Sequence, residues 1–145
     1  MSTNNQCPPD ARMAMLFDRL ARRIHVSLQE AAPEFDTEKI GPGGAIILLT
    51  LNDLGPVPMV ALARALVRDK SQMTRVVASL ARKDLVTRSQ NAEDSRVVTV
   101  GLTPKGRAVV LTHQKAIDAA VNGQLSALSE ADRATLYRLL QTAVG

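Results

Sequence analysis

Apolar residues recur with helical spacing through most of the chain, and the most informative case lies between residues 70 and 83. Met73, Val76, Val77 and Leu80 stand at positions i, i+3, i+4 and i+7, the spacing of one buried helix face. Helical residues turn by about 100° each, so the other sides are small, hydrogen-bonding or basic: Ser71, Gln72, Thr74, Arg75, Ala78, Ser79 and Arg82. The pattern predicts a helix with one apolar face and one carboxylate-free polar face.

A shorter apolar pattern precedes this helix. Val57-Pro58-Met59 opens it, with Pro58 suited to the first turn of a helix. Its predicted buried positions are Val60, Leu62, Ala63 and Leu66. About three residues, 67–69, then separate the two helices, and Asp69 is a plausible N-cap for the second. Two short helices joined this tightly predict a helix-turn-helix.

The periodicity changes after Asp84. Residues 85–88 and 97–100 are alternating runs rich in β-branched side chains, which is typical of strands. The polar, turn-rich segment 89–96 lies between them and contains Glu93, Asp94 and Arg96. We therefore predict a β-hairpin with a charged tip, a wing, directly after the helix-turn-helix.

Further helices are predicted on both sides of this unit. Asp10 can cap a helix that runs to about Glu30 and ends at Pro33. After a linker, 34–41, a short and almost wholly apolar helix is expected at about 44–53, buried on most sides. Thr103-Pro104 opens a helix that runs to about residue 125, and Ser129, with Asp132 three residues on, caps the last one.

The terminal helices carry apolar stripes that have no evident partner within the chain. In the first helix the stripe consists of Met13, Leu16, Phe17, Leu20, Ile24 and Leu28, and in the last it consists of Leu136, Leu139, Leu140 and Ala143. A two-fold dimer built from the terminal helices is the simplest way to cover them. In a helix-turn-helix, the second helix is the recognition helix, which lies in the major groove of DNA. A two-fold dimer would place two such helices about 34 Å apart, which matches successive major grooves and a pseudo-palindromic site.

Composition and charge restrict the classes of fold and function that fit this sequence. The chain has 145 residues, enough for one domain with a real core. Apolar residues make up 46% and aromatic ones only 2%, so the core is aliphatic, and a single-strand binder with stacking platforms is disfavoured. Residues 64–96 hold eight basic and four acidic residues, whereas the remainder is balanced. All the excess positive charge of +4 therefore lies in the helix-turn-helix and wing, as expected for a polyanion-binding surface.

Other chemistry is poorly supported. The single cysteine, Cys7, excludes a disulfide framework and a cysteine-based zinc site. No basic neighbour is present to lower its pKa, so we expect no redox role. His25 and His113 lack metal-ligand spacing, and a zinc site could form only across a dimer. We find no nucleophile–base pair, phosphate loop, signal peptide or membrane span. We expect a cytoplasmic protein without cofactor or catalytic activity.

The order helix-turn-helix, wing, Leu-Thr-Pro-Lys-Gly resembles the MarR family of bacterial transcription regulators. The resemblance covers roughly residues 44–107. Residues 60–63 resemble the family's apolar-x-Leu-Ala, and residues 71–77 its recognition helix. Residues 80–88 match Leu-x-x-Lys-Gly-Leu-Val-x-Arg, with Asp84 where glycine is usual. Asp94-Ser95-Arg96 fits the wing motif Asp-x-Arg, and residues 102–106 fit Leu-Thr-x-x-Gly.

The resemblance implies a mostly α fold: a winged helix-turn-helix core with a small β-hairpin, flanked by dimerisation helices. It implies a homodimeric regulator of double-stranded DNA, usually a repressor, often released by a small-molecule effector or by oxidation. Ser71, Gln72, Thr74 and Arg75 would contact the major groove. Arg96, held by Asp94, would enter the minor groove, whose potential attracts an inserted arginine. Lys70, Arg82 and Arg88 are further expected contacts, to phosphates in the case of Lys70 and Arg88.

The expected organisation is a disordered segment, 1–9, followed by one domain, 10–145. Within it, 10–32 and 104–145 are expected to dimerise, and 44–103 to form the DNA-binding core. The alternative of another class is a winged helix that docks on a protein partner, which would show no steep salt dependence with DNA. For the individual residues, the alternatives are a solvated face on the helix between residues 70 and 83 and an exposed Asp94–Arg96 ion pair that contributes little energy.

Overall fold

The computed structural model describes residues 8–145, so Cys7 lies outside the described residues. Six helices and three short strands follow one another in this part of the chain. They are α1 (Pro9–Phe35), α2 (Gly41–Leu54), β1 (Val57–Pro58), α3 (Met59–Ala65), α4 (Lys70–Arg82), β2 (Val86–Gln90), β3 (Val98–Leu102), α5 (Pro104–Gln124) and α6 (Glu130–Val144). The predicted mostly α fold with a small sheet is confirmed.

Residues 31–116 form one compact unit. Its core is aliphatic, as the composition predicts, and Ile47, Leu48 and Leu51 of α2 lie at its centre with only 1% of their surface exposed. The other helices and strands supply Leu62, Met73, Val77, Leu80, Val100 and Val110, and the turn after α4 supplies Leu85. The buried residues of α4 are thus those of the predicted apolar stripe, with Val76 packed beside them.

A three-stranded antiparallel sheet, in the order β1-β3-β2, completes this unit. β2 and β3 form the predicted hairpin, with Val86 opposite Leu102 and Gln90 opposite Val98. The third strand, β1, was not predicted: Val57 pairs with Val100. Pro58 was expected in the first turn of a helix, but it lies in β1 and is the N-cap of α3. Two residues are too few to show strand alternation, which explains the error.

The second unit comprises the described part of residues 1–30 together with residues 117–145. Here α6 is held to α5 because the Arg133 guanidinium donates to the Asn122 side-chain oxygen at 2.8 Å. Ser129 caps α6 as predicted, accepting the backbone N–H of Asp132 at 3.1 Å. Neither α1 nor α6 has a buried residue, so the apolar stripes of both helices lack the cover that the periodicity calls for.

Two helix boundaries differ from prediction. α1 begins one residue before Asp10 and continues through Pro33 to Phe35. The missing proline N–H costs one helical hydrogen bond, yet Phe35 remains in the helix and packs edge-on against the ring of His113, with 5.0 Å between centroids. α2 begins at Gly41 rather than Gly44 because the Asp36 carboxylate accepts the backbone N–H groups of Ile40 and Gly41, each at 3.0 Å.

No helix among residues 8–145 is both long enough and apolar enough to cross a membrane.

Candidate nucleic-acid interface

The candidate interface consists of the exposed side of α4, the strand residue Arg88 and the loop between β2 and β3. The apolar stripe of α4 faces the core, and the opposite side is therefore turned outwards. Every candidate contact predicted on this helix is exposed: Lys70, Ser71, Gln72, Thr74, Arg75 and Arg82. Arg88 is also exposed, opposite Val100 in the sheet.

Asp69 starts this helix as predicted. Its carboxylate accepts the backbone N–H groups of Ser71 at 2.7 Å and Gln72 at 3.2 Å, which are unpaired donors at any helix N-terminus. The hydrogen bond from the Ser71 side chain, followed by these backbone bonds and the charge of Arg75, lowers the pKa of Asp69. The cap therefore stays charged at neutral pH and fixes the first turn, which carries Ser71 and Gln72.

Both helices of the helix-turn-helix end with the same backbone motif. After α3, the N–H of Arg68 donates to the carbonyl of Ala63 and that of Val67 to Arg64; after α4, the N–H of Leu85 donates to Leu80 and that of Asp84 to Ala81. This is a Schellman motif, which requires a left-handed residue after the helix. Val67 and Asp84 fill that position with φ of 50° and 59°, so Asp84 adopts the conformation that favours the usual glycine.

The wing loop is ordered by two short polar side chains. The Asn91 side-chain oxygen accepts the backbone N–H of Glu93 at 2.8 Å. Asp94 then accepts three hydrogen bonds from Arg96: one from its backbone N–H at 3.0 Å and two from its guanidinium at 3.1 and 3.3 Å. These bonds lower the pKa of Asp94, the side-chain bond most.

The geometry presents Arg96 to solvent while fixing its direction. Its side chain is 89% exposed, although both carboxylate oxygens of Asp94 hold the guanidinium. A two-pronged pair of this kind restricts the plane of the guanidinium. The predicted pairing of Asp94 with Arg96 is therefore present, whereas Asn91, which orders the turn before it, was missed; an Asn that opens a polar turn was the available signal.

Sequence reasoning also missed a buried polar pair. His113 is 4% exposed, and its Nε2 lies 3.5 Å from a carboxylate oxygen of Asp36. Burial lowers the pKa of His113, an effect that the nearby carboxylate opposes. By contrast, His25 is exposed on α1. Within residues 8–145, no three His, Cys, Asp or Glu side chains come together to hold a metal ion.

A groove of about 940 Å³ runs along α1 in the unit of the terminal helices. Arginines and apolar side chains line it together, with Met15, Arg19, Arg23 and Val26 among them. The neighbouring Met13, Leu16 and Phe17 are each more than half exposed. At about 100° per residue, most residues that line the groove lie on the basic side of α1, opposite its uncovered apolar stripe.

Comparison with known proteins identifies the architecture. The family model described as MarR family matches residues 45–98, which include α3, α4, β2 and the wing loop. An uncharacterised HTH-type transcriptional regulator of Bacillus subtilis, YpoP, is 24% identical over 130 residues, covering 88% of this chain and 92% of that protein.

Two solved structures extend the match over the terminal helices. BpsR of Bordetella bronchiseptica, whose DNA binding is regulated by 6-hydroxynicotinic acid, has a TM-score of 0.79 at 25% identity and covers 92% of this chain and 99% of its own. A mutant of MarR from E. coli, complexed with operator DNA, shares the fold with a TM-score of 0.77 at 23% identity over both full chains. Residues 45–98 thus match the MarR family, and the fold of the described residues is shared with a solved MarR structure.

Proposed function

We propose that this protein is a sequence-specific, double-stranded DNA-binding transcriptional regulator. The observation that carries the proposal is the exposed, carboxylate-free side of α4, with Ser71, Gln72, Thr74 and Arg75 on it. Hydroxyl, amide and guanidinium groups are the donors and acceptors that read base edges in the major groove. A helix whose opposite face is locked into the core can present them in a fixed orientation.

Further residues are assigned to positioning on the duplex. Lys70, Arg82 and Arg88 are exposed cations that flank the reading surface and would contact phosphates, which supply affinity but little sequence information. Arg96 would enter the minor groove from the wing. Since Asp94 fixes its guanidinium beforehand, less side-chain freedom is lost on binding.

The protein acts as a homodimer in this proposal. Its terminal helices, 10–32 and 104–145, are the dimerisation elements, and 44–103 is the DNA-binding core. Support comes from α1 and α6, which have no buried residue and expose Leu16, Phe17, Leu139 and Leu140 by 41–54%. A second copy would cover this surface and would pair two recognition helices on a pseudo-palindromic operator.

Repression released by a small-molecule effector completes the proposal. BpsR, at 25% identity over most of the chain, is a protein whose DNA binding such a molecule regulates. A regulator of this kind works on the chromosome, in the cytoplasm, and requires no catalytic group of its own. Occupying a promoter is sufficient to block transcription.

The test is selection of binding sites from random duplex DNA by the full-length protein. We expect an inverted repeat with half-sites about one helical turn apart, bound by a species of twice the 15.6 kDa chain mass. Arg75→Ala or Gln72→Ala should alter the selected bases, whereas Lys70→Ala should weaken all sequences alike. Binding that shows no sequence preference would refute the proposal in favour of a winged helix that docks on a protein.

A further inference from the structure

Lys83, directly after the recognition helix α4, turns its ammonium group into the protein. Its Nζ donates to the backbone carbonyls of Glu38 and of Lys39, the latter at 2.9 Å. These carbonyls belong to the segment that joins α1 to α2. Lys83 is only half-exposed, unlike Lys70 and Arg82 of α4. A lysine in the most basic stretch of the chain is thus engaged internally.

A second lysine closes the arrangement from α5. The Nζ of Lys105 lies 3.2 Å from the Glu38 carboxylate and donates to the carbonyl of Lys83 at 3.0 Å. Glu38, Lys83 and Lys105 therefore connect three segments: the α1–α2 linker, the end of α4 and the start of α5. We call these three residues the lysine clamp.

The linker that the clamp holds is itself fixed. Asp36 accepts the N–H groups of Ile40 and Gly41 through its two carboxylate oxygens, and the backbone N–H of Lys39 donates to the Asp36 carbonyl at 3.1 Å. Lys39 sits in the left-handed region with a φ of 55°. The carbonyls that accept hydrogen bonds from Lys83 therefore have fixed orientations, and they can serve as a rigid anchor.

We propose that Lys83 is a positioning residue for DNA recognition, which sets the angle of α4 by anchoring its C-terminal end to the α1–α2 linker. The inference rests on the proposed function. A 13-residue helix is a lever of roughly 18 Å. Pivoting it by about 5° at Lys83 would displace Ser71 and Gln72 by roughly 1.5 Å, enough to break hydrogen bonds to bases.

A positioning role and a phosphate contact differ in their salt dependence. Each lost phosphate contact reduces the log–log slope of binding against salt by about 0.9. A misoriented reading helix instead loses base contacts, which release no counterions. Affinity should fall while the slope stays constant.

The experiment measures operator binding of full-length wild type, Lys83→Met and Lys70→Met over a salt series. Lys83→Met keeps the apolar stem of the side chain. We expect this variant to bind the operator roughly five- to tenfold more weakly, which is the effect of about one misaligned hydrogen bond. Its log–log slope of binding against salt should equal that of the wild type. Lys70→Met is the matched control; because a dimer loses two phosphate contacts, the magnitude of its slope should fall by about 1.8. Lys83→Arg, which keeps the charge and several donors, should restore most of the affinity.

Lys105→Met tests the lysine clamp independently if Lys83→Met folds poorly. It should weaken binding in the same slope-neutral way, and the double variant should lose less than the product of the two single losses, since both act on one clamp. Unchanged affinity in Lys83→Met, or a slope reduced as in Lys70→Met, would overturn the inference alone. If the wild type shows no sequence-selective binding, the proposed function falls, and the inference falls with it.

Discussion

Gly106 packs directly on the backbone carbonyl of Leu85, where a Cβ atom would collide with the oxygen. The same carbonyl accepts the N–H of Thr103 at 3.1 Å, and the Thr103 hydroxyl donates to the carbonyl of Asp84 and accepts the N–H of Gly106 at 2.9 Å. The Leu-Thr-x-x-Gly segment is thus the joint between the end of the recognition helix and α5.

Gly106→Ala should destabilise the protein by about 1–3 kcal/mol, at the upper end of the range for overpacking because the obstructing atom is backbone. Gly123→Ala is the matched control on the same helix. Nothing lies within 4 Å of its added Cβ, so alanine should be neutral or stabilise by up to about 1 kcal/mol. Urea titration measures both, and equal stabilities of the two variants would contradict the close packing at Gly106.

Arg96→Ala should weaken operator binding by about 1–3 kcal/mol and leave the melting temperature unchanged, because its exposed pair with Asp94 contributes little to folding. Asp94→Asn keeps the shape but loses the charge that orients the guanidinium, and should give a smaller loss. Lys115→Ala removes an exposed charge from α5 and serves as the control. If Arg96→Ala bound the operator with wild-type affinity, Arg96 of the wing would not contribute to DNA binding.

Asp84→Gly should stabilise the protein. Asp84 has a φ of 59°, and the left-handed conformation costs a non-glycine residue about 1 kcal/mol, partly offset by the extra freedom of glycine when unfolded. Asp84→Ala, which keeps the steric cost and lacks a side chain that can hydrogen-bond locally, should destabilise. Thermal melts give the order Gly, Asp, Ala; any order that puts Ala above Gly would contradict the strain at this position.

The buried His113 predicts a pH dependence of stability. Burial lowers its pKa below the ordinary 6.5, so below pH 6.5 the unfolded chain binds a proton that the folded chain does not. Stability should therefore rise as pH increases toward 6.5 and then level off with respect to this group. Denaturation between pH 5.5 and 7.5 (about one unit on either side of the ordinary value) measures it.

The two histidines provide the contrast for that experiment. His113→Gln should flatten the pH dependence, even if its overall stability is lower. His25 is exposed, so His25→Gln should keep the wild-type profile. A profile that is unchanged in His113→Gln would assign the pH dependence to other groups.

The elements of the helix-turn-helix and wing were predictable because local signals agreed with the tertiary structure. The stripe Met73, Val77 and Leu80 is buried as the periodicity requires, and Asp69, Thr103 and Ser129 all accept N–H groups at helix starts. Propensity, capping and burial favour the same boundaries there, which makes a short window of sequence sufficient.

The errors occur where distant residues decide the outcome. Pro33 remains helical although a local rule ends helices before proline, and β1 exists because β3 offers it a partner. The pair Asp36–His113 joins residues 77 positions apart, and Lys83 reaches Lys39 across 44. The periodicity of the sequence does not report such long-range contacts. The lysine clamp and the burial of His113 were not predicted for this reason.

The central claim is that the basic stretch recognises DNA, and the salt dependence of operator binding tests it most directly. A dimer has six to eight groups that can neutralise phosphates, contributed by Lys70, Arg82, Arg88 and Arg96. This number predicts a slope between about −5 and −7 for the logarithm of the binding constant against the logarithm of the salt concentration. Binding at least a thousandfold tighter than to unrelated duplex should accompany it, about the lower limit for specific regulators. A slope shallower than about −2, or equal affinity for unrelated duplex, would contradict the account.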